Sequence, residues 1–286
     1  MATSVSIFQV LLGGLAASVC LSTCVKKEDS NHSPDGSKAK GLRDIFTKIP
    51  KQSLTLRTGQ EIDLKTFKLT QEDNQKFESI LKRHLFWRSF DISKNNDGIL
   101  LSSELFALKI YSEHNYKLFS AYFDGSLYRN LKGLETEIDK ERVDILETGL
   151  IATVSAINKL PKARTKVHFG ACMKRTYIDS LWRNRELFTN LNFTSTSVSR
   201  EIAMGYSYCP QTAGQNEENA GYLFTLENST LGASISKYSS YDDEAEILYL
   251  PKSSFKLKSI SRIPEDKRLS SDHALFEVGL EETVGK

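Results

Sequence analysis

Two glutamates one residue apart, Glu244 and Glu246, open an apolar run from Ile247 to Leu250 that Pro251 stops. The run reads as a short strand. Side chains of a strand alternate between faces, so a Glu-X-Glu step is expected to turn both carboxylates the same way. Like charges that close repel each other, and the arrangement is tolerated where they meet solvent or a cation. The chemistry such a pair supports is therefore that of positive charge. One carboxylate can stabilise a developing oxocarbenium centre, and another can fork onto a planar guanidinium. The bland alternative is an acidic pair solvated at the mouth of a strand. Upstream, the hydroxyl-rich segment Phe193 to Ser197 (FTSTS) reads as a second strand. By itself it would be an edge with exposed hydroxyls.

The flanks of these two pieces change the weighing. Ser236-Lys-Tyr-Ser-Ser-Tyr241 precedes the glutamates, Leu250-Pro251 ends their strand, and Phe255 stands in the next one. Ser195-Thr-Ser197 is followed by Arg200 to Tyr206, which reads as a helix. Tyr111 to Asn130 and Thr148 to Pro161 complete an order of segments that resembles the toxin-like arginine-specific mono-ADP-ribosyltransferases over roughly residues 108–286. The resemblance implies an α+β fold, with a helical N-terminal part followed by two packed, mainly antiparallel sheets. It also implies NAD as substrate, and an arginine-bearing target protein as the partner that receives ADP-ribose through an oxocarbenium-like transition state. Within it, Glu246 would hydrogen-bond the ribose 2′-hydroxyl and stabilise the charge, and Glu244 would hold and help deprotonate the guanidinium. Ser195 would orient Glu246 and touch NAD, and Tyr241 would contact the target.

The family's first core strand ends in aromatic-Arg-Gly, whose arginine holds an NAD phosphate. The matching residues here are His168-Phe169-Gly170. Phenylalanine cannot neutralise a phosphate, and losing such a charge-assisted contact costs roughly 1.5–3 kcal/mol. His168 and Gly170 remain as NAD contacts on this strand. Arg164, Lys174, Arg175 or His168 could supply the missing polarity, and Phe169→Arg is expected to restore it. Two other readings stay open: a silent relative that acts as a binding module, and an NAD glycohydrolase in which water replaces arginine.

The chain of 286 residues has room for one sizeable core and a smaller unit. An apolar fraction of 40% with 26% charged residues is that of a globular protein. A net charge of +2 gives no support for nucleic acid as a partner. Residues 1–24 carry an uncharged stretch of secretory h-region length, although no basic n-region precedes it. Leu21-Ser-Thr-Cys24 resembles a lipobox with Thr23 where a smaller residue is usual. Residues 25–41 are polar and read as a flexible tether. The expected product is secreted, or anchored to a membrane through lipid on Cys24. Only Cys172 and Cys209 remain in the body, where one disulfide is possible. No Cys-X-X-Cys or His-Glu-X-X-His pattern supports zinc.

Residues 42–107 read as a small helical region. Thr70 can cap a helix with acids in its first turn, and Phe77, Ile80, Leu81, His84 and Leu85 follow at helical spacing. Ser93 to Glu104 then has the spacing of a degenerate EF-hand loop, with Ser93, Asn95, Asp97 and Glu104 as calcium ligands and Gly98 sixth. A plain Asn-Asp-Gly turn accounts for the same residues. Helices are further expected at 111–122, 140–158, 177–188 and 200–208. Strands are expected at 165–173, 193–197, 220–227, 246–250, 255–262 and 274–279. Residues 1–40 fused to a periplasmic reporter are expected to carry it out of the cytoplasm, and mass spectrometry at Cys24 separates a lipid adduct from simple cleavage. Cytoplasmic retention of the reporter would overturn the export reading.

Overall fold

The computed structural model describes residues 52–283, apart from 57–58, 85–86, 88, 92, 94–96, 124–136, 210–218 and 268–273. The signal-like segment, the tether, Cys24 and Asn95 lie outside the described residues. The first elements are a hairpin of β1 (Ser53–Thr55) and β2 (Glu61–Asp63), which sequence periodicity did not reveal. Helix α1 (Gln71–Leu81) starts where Thr70 and Asp73 cap each other's backbone N–H, each at 3.1 Å. Helix α2 (Ser102–Ile110) runs into a π-helical turn (Tyr111–Asn115) and then α3 (Tyr116–Phe123). The long α4 (Glu137–Lys159) packs on α2. Leu54, Ile62, Leu105, Tyr111, Leu150, Ile157 and Leu248 share one core, so residues on both sides of position 107 bury each other.

Eight strands follow: β3 (Val167–Lys174), β4 (Leu187–Asn190), β5 (Thr194–Ser197), β6 (Asn219–Leu226), β7 (Ala233–Ser234), β8 (Glu246–Tyr249), β9 (Ser253–Arg262) and β10 (Leu275–Glu282). Their order is β4-β9-β10-β6-β3-β5-β8-β7, and among the described residues only β10 and β6 run parallel. The two sheets implied by the resemblance are the halves of this ladder. A five-stranded half meets the three-stranded half through a single paired position, His168 with Ser197. So narrow a seam lets the sheet fold over on itself, and Ile247 and Tyr249 of one half bury against Phe224 and Phe255 of the other.

Helix α5 (Arg175–Asn184) is shorter than the expected 177–188 segment. Arg185 takes φ 56°, and the Glu186 N–H bonds the Leu181 carbonyl at 3.0 Å, which ends the helix. Leu187 and Phe188 then pair with Lys256 and Phe255 in β4, because a place in the sheet outweighs their helical periodicity. Helix α6 (Arg200–Gly205), capped by Ser199, lies across β3. Cys172 of β3 is disulfide-bonded to Cys209, which ties the segment after α6 to the strand beneath it.

Phe169 is 7% exposed and stacks on Phe224 at 4.6 Å, with Phe188 and Phe255 beside it. The expectation that an arginine here would repair a phosphate clamp is therefore corrected: this position faces the core. Phe169→Arg is expected to destabilise the fold by about 3 kcal/mol or more, since it removes a buried ring and buries an unpaired guanidinium. Thermal denaturation of the variant checks this, and an unchanged midpoint would contradict the core placement.

Candidate active site

The site is built by one strand pair. Ser197 of β5 stands opposite Glu246 of β8, Ser195 stands opposite Leu248, and residues opposite each other point to the same side. Ser195 and Ser197 therefore share a face with Glu246. Three of the four hydroxyls of this strand, those of Ser195, Thr196 and Ser197, each hold part of β8 or the turn before it. Ser195 Oγ donates to Glu246 Oε1 at 2.5 Å, and Thr196 Oγ1 donates to the Ile247 carbonyl at 2.8 Å. Ser197 Oγ donates to the Glu244 carbonyl at 2.6 Å and accepts the Ser199 N–H at 2.9 Å. Sequence reading assigned a task to Ser195; the anchoring of Glu244 by Ser197 it missed.

Glu244 and Glu246 do come together, but not by strand alternation. Glu244 ends a 3-10 turn (Asp242–Glu244), Ala245 has φ 46°, and β8 begins only at Glu246. A left-handed residue, unusual for alanine, delivers the first carboxylate to the side of the second. Glu246 is 5% exposed. Burial raises its pKa to about 7, the Ser195 bond opposes that rise, and the Glu244 charge adds to it. Two tyrosines that the sequence reading left without a task flank the pair. Tyr111, in the π-helical turn, is buried, and its ionisation is suppressed first by burial and then by the Glu246 charge. Tyr206, exposed after α6, donates to Glu244 Oε1 at 3.3 Å. Tyr241 is exposed just ahead of the 3-10 turn.

On β3 the residue that shares the face of Glu246 is His168, through its pairing with Ser197. It is buried, its Nδ1 lies 2.9 Å from Thr225 Oγ1, and burial with nearby Lys166 and Arg200 keeps its pKa low. Gly170 has a packing role on the same strand. A Cβ there would stand 2.0 Å from the Ala203 carbonyl oxygen, so the glycine lets α6 lie against the strand. Arg200 enters the site unforeseen, with its guanidinium 3.6 Å from Glu277 and its charge acting on His168.

The calcium reading is also corrected. Glu104 lies in α2, 0% exposed, where it pairs with Lys159 at 2.8 Å, takes a bond from Ser155 Oγ and accepts the Leu101 N–H. Ser93 Oγ donates to Asp91, and Asp97 Oδ2 accepts from Lys237 and Tyr238. Among the described residues no cluster of three acids, histidines or cysteines gathers as a metal site. Gly98, at φ 77°, reverses the chain as a plain turn would.

A hydroxyl-braced buried glutamate with a second carboxylate beside it, on a folded-over sheet covered by helices, defines an ADP-ribosyltransferase fold. A family model described as ADP-ribosyltransferase exoenzyme matches residues 47–276, and the chain belongs to that family. It is 31% identical over 108 residues to the Vibrio splendidus protein named NAD(+)–arginine ADP-ribosyltransferase Vis. That match covers 38% of this chain and 42% of Vis, so it spans less than half of that relative. The structure of Vis in complex with the M6 inhibitor superposes with a TM-score of 0.50 at 21% identity, covering 78% of this chain and 89% of that one. Exoenzyme S from Pseudomonas aeruginosa, in complex with human 14-3-3 protein beta and bound to carba-NAD, also gives 0.50. It is 17% identical, over 75% of this chain and 91% of that one. These likenesses show the fold.

The raised pKa of Glu246 fixes the sign of a stability effect. The folded chain holds this proton more tightly than the unfolded one, whose value is near 4.5. The penalty for ionising it is absent at low pH, grows as pH rises past about 4.5 and is complete above about 7. Glu246→Gln is therefore expected to be more stable than wild type, on the order of 2–3 kcal/mol at pH 8 and clearly less at pH 5. Denaturant unfolding at the two pH values checks this, and a gain independent of pH would contradict it.

Proposed function

We propose that the chain transfers ADP-ribose from NAD to an arginine side chain of a target protein. The observation that carries this reading is the Ser195–Glu246 hydrogen bond with Glu244 held beside it by Ser197. In the reaction the bond from ribose C1 to nicotinamide breaks, its electron pair leaves with nicotinamide, and positive charge develops on the ribose. Glu246, once ionised, stabilises that charge and accepts from the 2′-hydroxyl. A guanidinium nitrogen of the acceptor then bonds C1, and Glu244 takes the proton it loses. The name of Vis, which includes arginine as acceptor, supports this choice of substrate.

Phe169 no longer argues for a silent relative, because it lies in the core and not on the face of Glu246. Arg200, about a third exposed on that face, is the cation we assign to the NAD phosphates in its stead. Export through residues 1–24, to a secreted product or to one anchored through lipid on Cys24, belongs to the same proposal.

Glu246→Gln is expected to lower transfer by about 10²–10³-fold or more, as the neutral amide cannot stabilise the developing charge. Glu244→Gln is expected to lose transfer to arginine while retaining NAD hydrolysis, since acceptor activation and glycosidic cleavage use different carboxylates. Labelled NAD with an arginine-bearing acceptor measures both. Wild-type turnover in the first variant, or equal loss of both activities in the second, would overturn the division of roles.

A further inference from the structure

The Ser93–Glu104 loop, without calcium, has a different partner. Asp97 Oδ2 accepts from Lys237 Nζ and from Tyr238 OH, each at 2.7 Å, across 140 and 141 residues of sequence. Its other oxygen accepts the Ile99 N–H at 3.1 Å, so the carboxylate is fixed in its own turn while it grips the second one. These bonds hold Asp97 well ionised, at a pKa of about 2, with the Lys237 contact the largest cause. A few residues further on, the π-helical turn takes hold as well. Ser112 Oγ accepts the Ser240 N–H at 2.9 Å, and Ser240 Oγ donates to Glu113 at 3.0 Å. Two points of the N-terminal helical region thus clamp the segment 236–240, which leads to exposed Tyr241 and then to Glu244.

We propose that Asp97 is a positioning residue for the acceptor side of the site. Through Lys237 and Tyr238 it sets where the turn carrying Tyr241 and Glu244 meets the target's arginine. The idea rests on the transferase reading. Glu246 meets the clamped segment only through its backbone, its carbonyl accepting from the Ile235 N–H at 3.0 Å and from Ser236 Oγ at 3.3 Å, while its carboxylate is held from the other side by β5 through Ser195. Glu244 lies outside the strand, beyond left-handed Ala245, at the end of the turn; Ser197 holds its backbone carbonyl but not its carboxylate, which is left to the turn and to exposed Tyr206. Loosening the clamp should therefore move the acceptor carboxylate and leave the NAD-cleaving one in place.

Asp97→Asn keeps an acceptor oxygen for the Ile99 N–H but puts a donor NH2 where Oδ2 stood, so it removes the acceptor shared by Tyr238 and Lys237 and the charge that holds Lys237. In the full chain, kcat/KM for arginine transfer is expected to fall about tenfold, mainly through a higher KM for the acceptor. NAD hydrolysis without acceptor is expected to change less than about twofold. Hydrogen exchange of residues 234–244 is expected to rise about tenfold, with the β5 and β8 amides unchanged. Asp97→Lys combined with Lys237→Asp, which rebuilds the ion pair in reverse, is expected to recover part of both effects. Unchanged exchange in 234–244 would overturn the clamp, whatever the activity. Faster exchange with transfer and hydrolysis falling together would reduce Asp97 to a structural brace and overturn the positioning role. A wild type that cleaves no NAD would count against the transferase reading and the acceptor role that depends on it, with exchange still deciding the clamp.

Discussion

Everything around the site follows from burying the carboxylate of Glu246. A buried acid favours its neutral form, while the proposed chemistry needs the ion, and the rise in its pKa to about 7 expresses that tension. One hydroxyl, Ser195 Oγ, works against the rise. For that bond to form, β5 and β8 must pair in a register that puts a serine diagonal to the glutamate. A slip of one residue would turn every hydroxyl of β5 to the opposite face. The bond of Thr196 to the Ile247 carbonyl and the bond of Ser197 to the Glu244 carbonyl both resist such a slip. The three-residue hydroxyl motif therefore works as a register lock as much as a set of ligands.

That lock sits at the weakest place in the sheet. The two halves meet through a single paired position, so the ladder contributes little to holding them at a fixed angle. Packing does it instead. The aromatic cluster of Phe169, Phe188, Phe224 and Phe255 fills one side, joined by Tyr249 from the other half. On the opposite side α6 lies on Gly170, with the disulfide from Cys172 to Cys209 closing its far end. Helix α6 brings Arg200 to one end of the site and is followed by Tyr206 at the other. The element that stiffens the seam thus also carries or leads to side chains beside Glu244 and Glu277.

The helical region before residue 107 shares a core with α4 and β8, and its polar residues serve the same assembly. Glu104, fully buried, joins α2 to Lys159 of α4, a pairing that is costly to break because it would strand a charge in the interior. Asp97 and the π-helical turn reach the loop in front of the glutamates. A π turn interrupts a helix at some energetic expense and occurs often at functional sites. Here it places buried Tyr111 near Glu246 and aims Ser112 and Glu113 at Ser240.

Local chemistry made much of this legible in the sequence. Thr70 with an acid three residues on capped α1, an apolar run stopped by Pro251 marked β8, and the Ser-Thr-Ser and Glu-X-Glu pieces marked the site, because each depends on neighbours along the chain. What failed depended on partners far away. Leu187 and Phe188 look helical until β9 offers a ladder, and the 53–63 hairpin has too few residues to show a period. Glu104 and Asp97 fit a calcium loop by spacing, yet a carboxylate goes to the nearest cation, and those cations, Lys159 and Lys237, are brought by the fold. Which of His168 and Phe169 faces the glutamate is a matter of strand parity across a paired seam, which only assembly of the sheet decides. The sequence by itself determined the residue types able to do the chemistry. The tertiary structure decided how they meet, because a left-handed Ala245 and a strand register set the carboxylates' positions, and neither is a property of nearby residues alone.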